Sequence, residues 1–197
     1  MRYDTEHKQK TRTKVLQAAA KAIRADGPHR VAVAGVMADA GLTHGGFYAH
    51  FASKDELVAA AIEHMFDEAR AHVQRETEGR GPSEGLAAYI DFYLSKKHRD
   101  ARGAGCPIAA LASDLPRLDD AAREQFAAGV QRLTGRLSEK LAVLGHANAD
   151  TEAHSMVAEL VGALSLARIE PNAKRSNAIL IASRQLLKQR LGVEAQA

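Results

Sequence analysis

Apolar residues recur along this chain at the three- and four-residue spacing of one helix face, and nowhere in the strict alternation of a half-buried strand. Val15, Ala18, Ala19, Ala22 and Ile23 mark the stripe of a first helix over about Glu6–Asp26, which Gly27 and Pro28 end. Val33, Val36, Met37 and Ala40 fall at i, i+3, i+4 and i+7, so a second helix covers about Val33–Ala40 with all four on one side. Gly41 permits the positive φ of a sharp turn, and Leu42 plugs the gap between helices. Thr43 is an expected N-cap for a short third helix to about His50, with Phe47 and Phe51 pointing back into the core.

The pattern continues through the rest of the chain. Ser53-Lys-Asp-Glu56 reads as a capping box opening a long fourth helix, with Leu57, Val58, Ala61, Ile62, Met65, Phe66, Ala69 and Val73 as its buried side. It fades at Gly79-Arg-Gly-Pro82. Ser83 is expected to cap a fifth helix carrying Leu86, Tyr89, Ile90, Tyr93 and Leu94. Residues 98–105 read as a polar loop, and Cys106–Leu115 as a sixth helix stopped by Pro116. Asp119 or Asp120 starts a seventh, ending near Leu144 and Gly145. An eighth covers about Thr151–Arg168 and a ninth about Lys174–Leu191, separated by Pro171. The sum is an all-α chain of about nine helices: a three-helix N-terminal head over residues 1–54 with helix-turn-helix character, and a helical-bundle body over 55–197.

Composition narrows the picture. Glycine (15) and proline (5) are few in 197 residues, which favours helix. The single cysteine, Cys106, excludes an intramolecular disulfide. With no recognisable signal peptide, a cytoplasmic location is the expectation. The longest apolar stretch, near Ser155–Ala167, holds Glu159 and is too short for a bilayer, so no membrane association is expected. Net charge is only +3, but seven basic side chains lie among Arg2, Lys8, Lys10, Arg12, Lys14, Lys21 and Arg24 against two acids, Asp4 and Glu6. A basic arm on a near-neutral body suits a polyanion.

A third helix this short cannot stand alone. Its partner helix must hold it, and it is used for what it presents, which is how a helix-turn-helix reads the major groove of double-stranded DNA. The block Gly27–Leu57, with its core A-G-L-T-H-G-G-F-Y-A-H-F-A-S-K-D-E-L, resembles the TetR/AcrR family of bacterial transcriptional regulators. The resemblance implies DNA contacts residue by residue. Thr43 would bind phosphate through its hydroxyl and backbone N–H. His44, Gly45 and Gly46 would approach base edges, with room for thymine methyls. Tyr48 would reach phosphate, and His50 and Lys54 would lie near the phosphodiester backbone. The chain departs from the family at Ala32, where many members carry a capping Ser or Thr; Arg30 stands as an alternative phosphate contact.

For the body, the resemblance implies a homodimer formed through the last two helices. Met156, Val157, Leu160, Val161 and Leu164 of one, and Ile179, Leu180, Ala182, Ser183, Leu186 and Leu187 of the other, are the candidate stripes. It also implies a small-molecule inducer site, for which Met65, Phe66, Tyr89, Phe92, Tyr93, Cys106, Phe126 and Met156 are candidate lining, with the fourth helix as the lever between that site and Lys54. Cys106 precedes Pro107 at an expected helix N-terminus near Lys96, Lys97, Arg99 and Arg102, an arrangement that favours the thiolate of a redox or electrophile sensor. No phosphate loop, nucleophile elbow or metal spacing occurs, and the nine histidines form no HxxxH pair. No enzyme, cofactor or metal is expected. The functional expectation is a ligand-responsive, operator-binding regulator acting as a repressor. The alternatives are a helical small-molecule-binding protein that does not read DNA and a thiol-based sensor.

Overall fold

The structure, a computed structural model, describes residues 2–193, the side chains of 2–5 excepted; those of Arg2 and Asp4 therefore lie outside the described residues. Among the described residues there is helix and no strand. Nine α-helices follow in order: α1 (Arg2–Asp26), α2 (Val33–Asp39), α3 (Lys54–Thr77), α4 (Pro82–Tyr93), α5 (Lys96–Asp100), α6 (Pro107–Leu111), α7 (Asp120–Val143), α8 (Ala149–Ile169) and α9 (Ala173–Arg190). Among the described residues, no helix is long and apolar enough to cross a membrane.

The strongest local signals place the boundaries. Ser53 accepts a hydrogen bond from the Glu56 N–H at 3.1 Å, while the Glu56 carboxylate takes the Ala52 N–H at 2.6 Å. Such a cap is worth about 1 kcal/mol. Asp119 caps α7 in the same manner, accepting from the Ala122 N–H at 2.8 Å. Ala32 gives α2 no side-chain cap.

Four expectations need correction. Ser83 does not cap α4: the N-cap is Gly81, without a side-chain hydrogen bond, and Pro82 opens the helix. The recognition segment is a 3-10 helix over His44–Ala49, and Thr43 makes no side-chain cap. Two adjacent glycines weaken α-helical propensity there. The polar stretch 98–105 is not a loop throughout: Ser95 caps α5, and Arg102–Ala104 forms a 3-10 turn. The sixth helix stops at Leu111, and Leu115–Arg117 is a separate 3-10 turn.

Two apolar clusters hold the chain together. One joins α1, α2, Phe47 and Phe51 to the first half of α3, to Leu111 and Leu115, and to the start of α7. The other joins Val73 to α4, Cys106, the second half of α7, α8 and α9. Helix α3, 24 residues and so about 36 Å long, contributes to both and is the spine between them.

Candidate nucleic-acid interface and interior cavity

The turn after α2 sets the angle of the recognition segment. Gly41 has φ of +74°. Its N–H donates to the Ala38 carbonyl, and the Leu42 N–H donates to that of Met37, both at 2.9 Å, which makes a Schellman closure. Phe47 and Phe51 anchor the segment beneath. Both are buried, with ring centroids 5.8 Å apart. The opposite side faces outward: Tyr48 is 72% exposed, its ring edge-on to Phe47 at 5.2 Å. Thr43, His44 and Gly45 are exposed, as is Arg30; Gly46 is half-buried. A Cβ on Gly45 would meet nothing within 4 Å, and one on Gly46 only Met37 Cε at 3.6 Å.

The flanks carry positive charge. The Arg12 guanidinium sits 4.7 Å from the Phe51 ring centroid, a cation–π placement that ties the basic face of α1 to the recognition segment. His50 is half-buried with its Nδ1 unpartnered. Burial, then Lys8 and Arg12, hold its pKa below the ordinary histidine value. Lys54 Nζ donates to the His29 carbonyl at 3.1 Å, tying the turn after α1 to the start of α3. Arg24 departs from the expected basic arm. It is buried, and its guanidinium pairs with Glu68 at 2.6 Å rather than facing solvent.

Arg24 also lines a cavity of about 20 Å³, room for little more than one water. Glu68, Ala69 and His72 of α3 lie beside it, with Tyr89, Phe92 and Tyr93 of α4 across; His98, Ala104, Gly105, Cys106 and Leu133 complete the wall. Of the residues expected at an inducer site, Tyr89, Phe92, Tyr93 and Cys106 meet here. Met65, Phe66, Phe126 and Met156 do not; they are packed core, Phe66 and Phe126 meeting edge-on at 5.2 Å. Sequence reasoning missed Arg24, Glu68, His72 and His98, which look like surface polar residues until packing across more than forty positions assembles them.

His98 organises one side. A backbone N–H can only donate, so the Cys106 N–H at 3.1 Å makes Nε2 the acceptor, and Nδ1–H donates to the Tyr93 carbonyl at 2.7 Å. Burial pushes the His98 pKa down to about 4, against the Tyr93 hydrogen bond that supports its charged form and with help from Arg168, His72 and Arg24. The Phe92 ring stacks between His98 at 5.3 Å and His72 at 4.7 Å. Burial and then Cys106 raise the Tyr93 pKa. Cys106 is buried and occupies the N-cap position of α6, as expected. The cations around it differ from expectation. Arg99 is engaged with Asp100, Ser176 and Asn177, and Lys96, Lys97 and Arg102 are exposed.

The last two helices also differ from expectation. Met156, Leu160 and Leu164, like Leu180 and Leu187, are buried within the chain's own core. The large apolar residues that α8 and α9 turn outward are Leu166, Ile169, Ile181 and Leu186, each 43% to 75% exposed, and of these only Leu186 belongs to the expected stripes. Lys188 pairs with Asp91 at 2.7 Å and Arg190 with Glu159 at 2.7 Å, fixing α9 against α4 and α8.

Comparison with known proteins places this arrangement. Residues 15–61 match the model for bacterial regulatory proteins of the tetR family, and residues 82–183 match that for the C-terminal domain of LmrA/YxaF-like transcriptional regulators. An uncharacterised HTH-type transcriptional regulator of Mycobacterium tuberculosis is 30% identical over 122 residues, 61% of this chain and 60% of that one. The uncharacterised HTH-type transcriptional regulator YfiR of Bacillus subtilis is 26% identical over 103 residues, 52% of this chain and 50% of its own. The chain thus spans only 50% to 60% of the length of the curated relatives it matches. Among solved structures, a TetR transcriptional regulator from Chloroflexus aurantiacus superimposes with TM-score 0.80 at 25% identity, covering 95% of this chain and 96% of that one. Escherichia coli NemR in its reduced form gives TM-score 0.80 at 20% identity over 91% and 96%, a likeness of fold alone. A helix-turn-helix with its anchors inside and Tyr48 outside, on a body matched over more than half the chain, leads to one assignment: the chain belongs to the TetR family of DNA-binding transcriptional regulators.

Proposed function

We propose that the chain is a ligand-responsive repressor that binds a palindromic operator as a homodimer, with residues 1–54 as the DNA-binding head and 55–197 as the ligand-binding and dimerisation body. The observation that carries the reading is the outward face of His44–Ala49, where Tyr48 is 72% exposed over two buried phenylalanines. Thr43, Tyr48, His50, Lys54 and Arg30 take phosphates, while His44, Gly45 and Gly46 face base edges. A six-residue 3-10 helix offers little macrodipole, so hydroxyl and N–H groups bear the phosphate contact at Thr43. The exposed Leu166, Ile169, Ile181 and Leu186 support pairing through α8 and α9. Helix α3 runs from Lys54 to the cavity wall at Glu68, Ala69 and His72, which suits it to carry a ligand signal. A coupling of about 1–3 kcal/mol would change operator occupancy roughly 5- to 150-fold.

The test is a gel-shift with the DNA upstream of its own gene, across a salt series. Binding weakens steeply with salt. Tyr48→Phe and Lys54→Ala each lower affinity by about 1–2 kcal/mol. If both variants bind as the parent does, the phosphate roles are wrong.

A second reading has an observation of its own. Cys106 lines the cavity next to Tyr93, so an electrophile that enters the body meets a thiol. A Cys106→Ser variant that still releases DNA on electrophile treatment removes this reading.

A further inference from the structure

The cavity wall holds two buried polar groups that the fold leaves without a hydrogen-bond partner: Arg24 Nε and the Tyr93 hydroxyl. Arg24 is 8% exposed and Tyr93 3%. An unpaired buried donor costs about 1–3 kcal/mol, so neither is a neutral feature of the interior. Arg24 spends only one nitrogen on its neighbours. Its Nη2 donates to Glu68 at 2.6 Å and, more weakly, to the Met65 carbonyl at 3.5 Å. The Nε edge of a guanidinium is half of the fork that a carboxylate takes with two parallel bonds. The side chain that approaches the Tyr93 hydroxyl as a hydrogen-bonding neighbour is the soft thiol of Cys106, and a thiol is a weak partner.

Charge and shape select among ligands. At His98, Arg168 and, less strongly, Arg24 add to burial in disfavouring the proton, whereas at His72 burial and Arg75 act against Glu68 and Glu76, so the positive charge gathers on the His98 side of the cavity. The rings of His72, Phe92 and His98 already lie face to face within 17° of parallel, which is the geometry a further flat ring extends. His72 and Phe92 are half-buried, so the wall they form is the one that can part to enlarge a space now fit for a single water.

We propose that this cavity takes a small planar aromatic acid, its carboxylate held by the Nε edge of Arg24 and by the Tyr93 hydroxyl, and that α1 is the element this ligand moves. The proposal rests on the ligand-responsive reading above and deepens it. Arg24 lies in the last turn of α1, just before Gly27, whose φ of +83° starts the path to α2. A carboxylate on Arg24 competes with Glu68 and so loosens a tie between α1 and α3. The cavity reaches α1 a second way. Ala104 and Gly105 line it, and a Cβ on neighbouring Gly103 would lie 3.1 Å from Lys21 Cγ.

The experiment uses the full chain, with 2-naphthoate and its neutral match 2-naphthamide as probes in titration calorimetry at pH 7. The acid binds about tenfold or more tightly than the amide. Arg24→Met abolishes that preference. Glu68→Gln, which keeps Arg24 in place and guards against a misfolded Arg24→Met, strengthens the acid severalfold and leaves the amide unchanged. On binding, amide hydrogen exchange rises in the last turn of α1. Equal affinities for acid and amide overturn the carboxylate assignment while keeping a ligand site in the body. Unchanged exchange in α1 overturns the coupling. Binding of neither probe overturns the whole proposal, and the broader reading then stands or falls on whether any other compound releases the upstream DNA.

Discussion

A Cβ placed on Gly45, in the recognition segment, would meet nothing within 4 Å, whereas one placed on Gly129, in α7, would lie 2.2 Å from the Phe66 ring. In sequence the two glycines look alike. Gly129 vacates space that another part of the same chain occupies. Gly45 vacates space that nothing in the chain fills, on a face where family members meet DNA. The contrast extends to polar groups. In the body, His98 has a partner on each ring nitrogen; in the head, His50 keeps Nδ1 unpartnered beside the cations Lys8 and Arg12. At these positions the body fills its own space and pairs its own groups, and the head leaves its surface free.

Gly129→Val tests the body side of this contrast most severely. Phe66 is fully buried and wedged against Phe126, so it cannot swing away from the new atoms. The expected cost is about 3 kcal/mol or more, at or above the top of the usual range for overpacking. Urea denaturation measures it. A variant with the parent's midpoint would show that α3 and α7 are not closely packed here.

The same contrast explains what was legible in the sequence. Features built from near neighbours could be read: the Ser53 and Asp119 caps, the Gly41 turn, and Cys106 ahead of Pro107 at a helix start. Each rests on hydrogen bonds or φ preferences within a few residues. The outward face of the head was readable for the same reason, since Phe47 and Phe51 sit one helical turn apart and set the side for Tyr48. The cavity was not. Arg24 meets Glu68 across 44 positions, and Arg168 meets His98 across 70, so no local pattern marks them. The outer face of α8 and α9 was legible only in part, with Leu186 of the expected stripes turned outward and Met156, Leu160, Leu164, Leu180 and Leu187 taken by the core, because both helices carry apolar residues on more than one side. Periodicity then finds a stripe but does not say which stripe the chain's own core takes.

Acidification probes the partnered histidine. A neutral His98 accepts the Cys106 N–H; a protonated one loses that bond and places a charge in a buried site. Its pKa in the fold is about 4 against an ordinary 6.5, so the unfolded chain binds the proton first. Its contribution to stability is therefore complete above about pH 6.5 and is lost as pH falls towards 4, by roughly 3 kcal/mol. Denaturation midpoints across that window measure the slope. His98→Asn is expected to remove this part of it; an unchanged slope would assign the pH dependence to other groups.

The smallest effect on stability is expected at Gly45, and it separates folding from recognition most cleanly. Gly45 does not have a positive φ, and a methyl there projects into open space. Alanine also costs less backbone entropy than glycine in a helical turn. Gly45→Ala should therefore leave the unfolding free energy within about 0.5 kcal/mol of the parent, if anything on the stable side. On DNA the same methyl stands where the proposed interface brings the backbone towards base edges, so affinity for the upstream site falls while the fold is untouched. Thermal unfolding and a gel-shift on one preparation distinguish the outcomes. Lost stability would mean that the space beside Gly45 is filled by the chain itself. Retained affinity would mean that DNA does not approach this side of the segment, and the distinction between the filled space at Gly129 and the open face at Gly45 would then lose its functional meaning.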